Sequence, residues 1–306
     1  MISDHNSCRL SIVIAAHNAD QVIATCLTAL VEQMDPQLDE IIIADSSTDD
    51  TPNIIEAVYP ATRLIHFDAP LTLPQLRGKA IAASQGEIIV ILDPYSIVSS
   101  GWVDAVLHAH RERPNPVIGG AVDLYDENNQ NFLAWAQYIN EYGMFMSPAK
   151  EGVIEILPGS NISYKRNVLF DGDTPLYPEF WKTFINWETE SAGSELWLSP
   201  TIQVRLWKPI PFADFLHSRL DHGRCFAGMR SLHITRVERL ARAMSTPALP
   251  FLFLWRWGRR YWVKKRWRLK FLLTLPLQIL LFGQWALGEF VGYCFGTNRS
   301  CEKLFY

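Results

Sequence analysis

Leu10-Ser-Ile-Val-Ile-Ala-Ala16 is an apolar run broken only by one hydroxyl, and Glu40-Ile-Ile-Ile-Ala44 and Glu87-Ile-Ile-Val-Ile-Leu92 repeat the pattern. A strand with one wet face alternates apolar with polar residues. Runs without alternation fit strands covered on both faces, as in a parallel sheet. Arg63 to Phe67 supplies a short third strand. Between the first two runs, Val22 and Ile23, Cys26 and Leu27, Leu30 and Val31, then Met34 recur at the spacing of an amphipathic helix. Asp50-Thr51-Pro52 reads as a cap and first-turn proline opening a second helix, and Leu76 to Ser84 as a third. Strand and helix alternate through the first hundred residues, which predicts an α/β fold built on a doubly wound, mostly parallel sheet with helices on both faces. A helix over 103–112 and a strand over 117–122 follow. From there to Leu157 the reading is irregular and aromatic-rich.

The chain has 306 residues, 48% hydrophobic and 20% charged, which excludes a disordered or low-complexity protein. Its net charge of −4 conceals a separation: residues 236–270 carry eleven basic side chains against the single acid Glu238, a balance of +10. The segment after 270 is neutral, so residues 1–235 hold −14. Trp255, Trp257, Tyr261, Trp262 and Trp267 are interleaved with those bases, and Phe271 to Gly288 follows with eighteen residues and no charge. Bases, boundary aromatics and then an apolar run of helical length form the pattern of a segment meeting a membrane from its cytoplasmic side. Pro276, Gln278 and Gln284 dilute the run, which leaves open a spanning helix, a helix lying in the interface and a buried core helix. Nucleic acid is excluded as a partner, because an N-terminal part at −14 repels phosphates. The expected organisation is one domain over 1–235 and a basic linker with a membrane-associated helical tail over 236–306. Cys8, Cys26, Cys225, Cys294 and Cys301 are odd in number, scattered and free of C-x-x-C; no disulfide framework, no zinc site and a reducing compartment are expected. No basic region precedes an apolar run at the N-terminus, so no cleavable signal is expected.

Three loops leave the ends of the predicted buried strands with polar residues: Ala16-His17-Asn18, Asp45-Ser46-Ser47-Thr48-Asp49 and Asp93-Pro94-Tyr95. In open parallel sheets ligands bind at the carboxyl ends of the strands. Neither a P-loop lysine pattern nor G-x-G-x-x-G is present to cradle phosphates in the usual ways.

These residues resemble the family 2 glycosyltransferases of the GT-A fold. Ser11-Ile-Val-Ile-Ala-Ala-His-Asn18 looks like their opening strand, and Glu40-Ile-Ile-Ile-Ala-Asp-Ser-Ser-Thr-Asp-Asp-Thr51 is similar to their E-I-I-V-V-D-D-x-S-T-D-x-T. The stretch from Arg77-Gly-Lys to Leu92-Asp93 resembles R-N-x-G-x-x-x-A-x-G-E-x-I-x-F-L-D. Pro158-Gly-Ser-Asn-Ile-Ser-Tyr-Lys-Arg166 looks like an acceptor-side segment, and Arg219 to Arg224 is similar to a Q-x-x-R segment near the diphosphate. The resemblance implies a nucleotide-diphosphate sugar as donor and inversion by single displacement. It implies that Asp45 accepts from the base, that Ala15, His17 and Asn18 line it, and that Arg77 supplies positive charge. Asp93 would touch the ribose or a divalent cation, Mg²⁺ or Mn²⁺; Asn161 would face the acceptor and Arg224 the leaving diphosphate.

Two motifs depart from that pattern. The metal-holding D-x-D reads Asp93-Pro94-Tyr95, and a neutral tyrosine is a poor ligand for a hard dication. The Glu-Asp that carries the catalytic base falls on Trp181-Lys182. Of the nearby acids Glu179, Glu188 and Glu190, Glu179 is the first candidate base by proximity. The sequence therefore reads as a membrane-associated inverting glycosyltransferase, placed at the cytoplasmic membrane face and acting on a lipid-linked or cell-surface polysaccharide precursor. The alternative is a catalytically silent scaffold with the same fold.

Overall fold

The computed structural model describes residues 8–208, 210–264 and 267–304. The chain runs β1 (Leu10–Ala16), α1 (Ile23–Val31), β2 (Asp39–Asp45), α2 (Thr51–Val58), β3 (Arg63–His66), α3 (Leu73–Ala82), β4 (Ile88–Leu92), β5 (Ser96–Val98), α4 (Trp102–Glu112), β6 (Val117–Leu124) and α5 (Phe132–Tyr142). It continues through β7 (Gly152–Val153), β8 (Asn161–Lys165), α6 (Arg166–Leu169), β9 (Phe170–Asp171), β10 (Thr174–Pro175), α7 (Lys182–Ser191), β11 (Leu196–Leu206), α8 (Phe212–Arg230), α9 (Arg236–Ser245), α10 (Leu249–Lys264) and α11 (Arg268–Phe295).

Two compact units emerge: residues 1–125 with 145–208, and residues 126–144 with 209–306. The first is the α/β unit. Its nine-stranded sheet has the order β3-β2-β1-β4-β8-β6-β11-β5, with β7 beside β11. Strands β3, β2, β1 and β4 are parallel, whereas β8 runs antiparallel to both β4 and β6. All seven residues of β1 are buried, because β2 and β4 pair on its two edges and helices cover its faces. That is why its run lacks alternation. Helix α3 begins at a capping box, with Thr72 accepting from the Gln75 amide and the Gln75 side chain returning to Thr72. Asn161 in β8 ties three elements together, as it accepts from Trp102 Nε1 (3.2 Å) and donates to the carbonyls of Ala121 (3.0 Å) and Ile202 (2.9 Å).

The second unit is helical. Gly288 and Gly292 of α11 face the backbone of α8: a Cβ on Gly288 would stand 2.2 Å from the Leu220 carbonyl, and one on Gly292 2.4 Å from that of Arg224. Small residues on one face of a helix permit this approach. Gln278, fully buried, donates to the Ala136 carbonyl of α5 at 2.9 Å and accepts from Asn140 at 3.2 Å. Tyr261 of α10 stacks on Phe271, with centroids 5.0 Å apart. Thus Gln278, one of the residues that interrupt the apolar run, faces a packed interior, while Gln284 is half-buried and Pro276 exposed. The opposite side of α11 carries Leu269, Leu272, Leu273, Ile279, Leu280, Leu287 and Phe290, all exposed. Among the described residues α11 is the one helix long and apolar enough to cross a membrane.

Three expectations change. The stretch read as irregular contains the eleven-residue helix α5, whose buried Trp135, Ala136 and Ile139 recur at helical spacing. Residues 209–235, read as part of the first domain, pack within the second unit. Cys225 and Cys301, 76 residues apart, form a disulfide, against the expectation of free thiols; the packing of the last turn of the chain on α8 brings them together.

Candidate active site

The register fixes where the polar loops emerge. Ala16 pairs with Asp45 and Ile14 with Leu92, so the loops after β1, β2 and β4 leave the same rim of the sheet. Asp45 and Asp93 stand two strands apart there, about 10 Å at ordinary strand spacing.

The first two loops are knitted together. Asn18, at a positive φ of 49°, accepts from the Thr48 amide at 2.9 Å while its own amide donates to Ser47 Oγ at 2.8 Å. His17 Nδ1 donates to the Ser46 carbonyl at 3.0 Å. Asn18 is exposed and His17 half-buried, whereas Ala15 lies beneath them. Asp45 differs from its expected role. Its carboxylate is fully buried and takes the Ser47 hydroxyl (2.5 Å), the Ser47 amide (3.1 Å) and His66 Nδ1–H (2.6 Å). It orders the loop and holds His66, whose side chain is 38% exposed; the imidazole is the group that reaches the rim. Nothing in the β3 sequence singled out His66.

At the third loop, Asp93 Oδ1 pairs with Arg77 Nη2 at 2.6 Å, both side chains 10% exposed. Arg77 also reaches the Gly159 carbonyl at 3.4 Å and lies over the Phe180 ring at 6.0 Å. It starts from the second turn of α3, whose N-terminus lies at this rim because the helix follows β3. Gly78 lets the 178–180 segment close on α3, since a Cβ there would meet the Pro178 carbonyl at 2.2 Å. The Phe180 amide donates to the Pro74 carbonyl at 2.8 Å. This contact brings in Glu179, whose two oxygens accept from Gln75 Nε2 (3.0 Å) and Trp181 Nε1 (2.8 Å). Glu188 is bound by the Tyr177 hydroxyl at 2.7 Å, and burial pushes that phenol up to about 12. Below the third loop, burial raises the Cys26 thiol to about 12, which marks it as a packing residue.

Arg77, Asp93 and Glu179 are therefore gathered at one rim with His17 and Asn18. Asn161 pairs with Leu92 just beneath the same rim. Asn161 is 1% exposed with its amide committed to three protein groups, so it links strands and presents no group to an acceptor. Arg224 belongs to the second unit, where its Nε donates to the Gly296 carbonyl at 3.1 Å and caps α11.

Residues 11–171, just over half the chain, match the family described as glycosyl transferase family 2. The chain belongs to this family. A Streptococcus pneumoniae relative, the glycosyltransferase GlyG, is 25% identical over 126 residues, covering 40% of this chain and 42% of GlyG. Mouse polypeptide N-acetylgalactosaminyltransferase 12 is 26% identical over 133 residues, covering 41% of this chain and 23% of the enzyme. The chain thus spans less than half the length of these curated relatives. Among solved structures, S. aureus TarS in complex with UDP-GlcNAc superposes with a TM-score of 0.52 at 14% identity, covering 91% of this chain and 90% of TarS. The Pyrobaculum calidifontis mannosyltransferase PcManGT, in complex with GDP-Man and Mn²⁺, reaches 0.53 at 15% identity, covering 90% and 87%. The fold is GT-A.

Family 2 members with a full D-x-D imply a divalent cation, and the donor set here does not fit one. Asp93 is the one carboxylate of the loop, and Arg77 already neutralises it. Among the described residues no three His, Cys, Asp or Glu side chains cluster as metal ligands. A hard dication takes several oxygen donors.

Proposed function

We propose that this chain is an inverting glycosyltransferase that binds a nucleotide-diphosphate sugar at the rim of the α/β sheet. It transfers the sugar to a lipid-linked or cell-surface glycan acceptor at the cytoplasmic membrane face. The observation that carries this is the convergence of Asp93 with Arg77, and of Glu179, at the carboxyl ends of the parallel strands of a family 2 domain. Nucleotide sugars bound to TarS and PcManGT support the donor class.

His17 and Asn18 line the nucleobase above the buried Ala15, with His66 held against it by Asp45. Asp93 meets the ribose side of the donor and keeps the Arg77 guanidinium oriented. The acceptor hydroxyl attacks the anomeric carbon, a new C–O bond forms as the bond to the diphosphate breaks, and the hydroxyl proton passes to a carboxylate. Glu179 is that base. Gln75 and Trp181 fix its two oxygens, and each oxygen keeps a second lone pair for the incoming proton.

Membrane association rests on the second unit. Besides the exposed apolar face of α11, it exposes Val237, Leu240 and Met244 of α9 and Phe251, Trp255 and Trp262 of α10, amid the +10 segment. A helix with one packed face and one apolar exposed face lies along an anionic leaflet. The silent-scaffold reading draws on Trp181 and Lys182 standing where the family carries its Glu-Asp. Nucleoside diphosphate release from UDP- and GDP-sugars in the presence of anionic vesicles separates the two. Release that Glu179→Gln slows about 100-fold supports the enzyme, and tight binding without release on any donor supports the scaffold.

A further inference from the structure

Helix α11 has 28 residues, about 42 Å of helix, which is enough to cross a bilayer. Both halves of it, however, are lined by helices that carry charge. Along the first half, Tyr261 of α10 stacks on Phe271, and the Phe253 ring lies 5.3 Å from that of Phe282, so α10 runs antiparallel to α11 there. Between those two contacts α10 carries Arg256, Arg259 and Arg260. Along the second half α8 lies close: a Cβ on Gly223 would collide with the Trp285 carbonyl, and Gly288 and Gly292 face the Leu220 and Arg224 carbonyls. Asp221 and Arg224 belong to that stretch of α8. Cys301, beyond the end of α11, is bonded to Cys225 of α8, so the tail stays on the side of the membrane where α8 lies.

Resting on the membrane association proposed above, we infer that α11 does not cross the bilayer: it lies in the plane of one anionic leaflet, with both of its ends on the cytoplasmic side. An upright α11 would carry the arginines of α10 to the hydrocarbon level of residues 271–282, and the charges of α8 to that of residues 285–292. Charge at that depth is costly. Lying flat, α11 needs a single apolar side. Leu269, Leu273, Leu280, Leu287 and Phe290 are exposed and recur at helical spacing, a stripe about 32 Å long. The +10 balance of residues 236–270 complements anionic headgroups.

Thiol accessibility in membrane vesicles from expressing cells, inverted so that the cytoplasmic face is outward, tests this. The full chain carries Cys8→Ser and Cys294→Ser with the Cys225–Cys301 disulfide intact. One new thiol stands at an exposed position before or after α11, Arg236→Cys or Arg299→Cys. An impermeant maleimide should label both positions equally, and detergent should add nothing. Labelling of Arg299→Cys only after detergent, with Arg236→Cys labelled before it, overturns the in-plane helix and leaves membrane association intact. Chain absent from the vesicle fraction, or both positions protected, overturns this proposal together with the membrane reading it rests on. Depth is an independent readout, taken on the purified chain with vesicles of equal parts phosphatidylcholine and phosphatidylglycerol. A fluorophore on Leu273→Cys, Leu280→Cys or Leu287→Cys should report one shallow depth at all three positions, about 5–10 Å into the headgroup boundary. A Leu280 position deeper than the other two overturns the proposal.

Discussion

The two units of this chain handle apolar surface in opposite ways. Of the twenty-two exposed large hydrophobic side chains among the described residues, the α/β unit has three, Val153, Ile156 and Leu176, and the helical unit has the other nineteen. The first unit covers its sheet on both faces and sends polar residues to one rim. The second builds an interior around Gln278, Tyr261 and the α8–α11 contact and turns those nineteen hydrophobes outward in a segment rich in arginines and lysines. A water-soluble fold that leaves this much apolar surface uncovered needs another phase or partner to cover it. Under the proposed function, chemistry belongs to the first unit and attachment to the second.

The most severe way to break that division is within the rim. Asp93→Ala leaves the 10%-exposed Arg77 guanidinium without its partner and should cost about 3–5 kcal/mol, read as a fall in the thermal midpoint of the α/β unit. Asp93→Leu combined with Arg77→Met should recover part of this stability while donor binding stays lost. On the attachment side, replacing Arg256, Arg259 and Arg260 together by Gln should weaken binding to anionic vesicles by about 3 kcal/mol, at ~1 kcal/mol per base near the surface. Donor affinity in the absence of membranes should be unchanged, and a parallel loss of nucleotide binding would undo the separation of roles.

Smaller effects sharpen the description of the helical unit. Gly288→Val forces side-chain atoms against the Leu220 carbonyl and should destabilise by about 1–3 kcal/mol. Hydrogen exchange should register the loss in α8 and α11 and leave the β1 and β4 amides protected. The smallest effect concerns Glu289, whose pKa burial raises against the lowering contact from Trp285. A carboxyl raised in the folded state contributes its stability below its unfolded pKa and loses it as pH rises through the folded value. Glu289→Gln should therefore raise the thermal midpoint slightly at pH 7.5, with the gain vanishing near pH 4.

How much of this the sequence carried follows the same division. The alternation of β1, α1, β2, α2 and β4 was legible because each element contacts near neighbours in the chain, and an all-buried strand leaves an unbroken apolar run. Helix α5 was not, because its partner Gln278 lies about 140 residues onward and its aromatics masked the helical period. The break at 209 was equally hidden, since the helical unit is assembled from two separate stretches. At the rim, Arg77 and Asp93 lie sixteen residues apart in a recognisable motif and were legible as a site. Asp45 showed its position but not its burial, because His66 approaches from another strand.

The account turns on the rim of the α/β sheet being a donor site. The most direct measurement is a crystal structure of the full chain soaked with UDP or GDP, whichever binds in calorimetry. The account predicts the base against His17 and Asn18 and the diphosphate beside Arg77, with Glu179 facing the space beyond the terminal phosphate. A nucleotide bound elsewhere, or a rim that stays closed over Asp93 at saturating nucleotide, would contradict it.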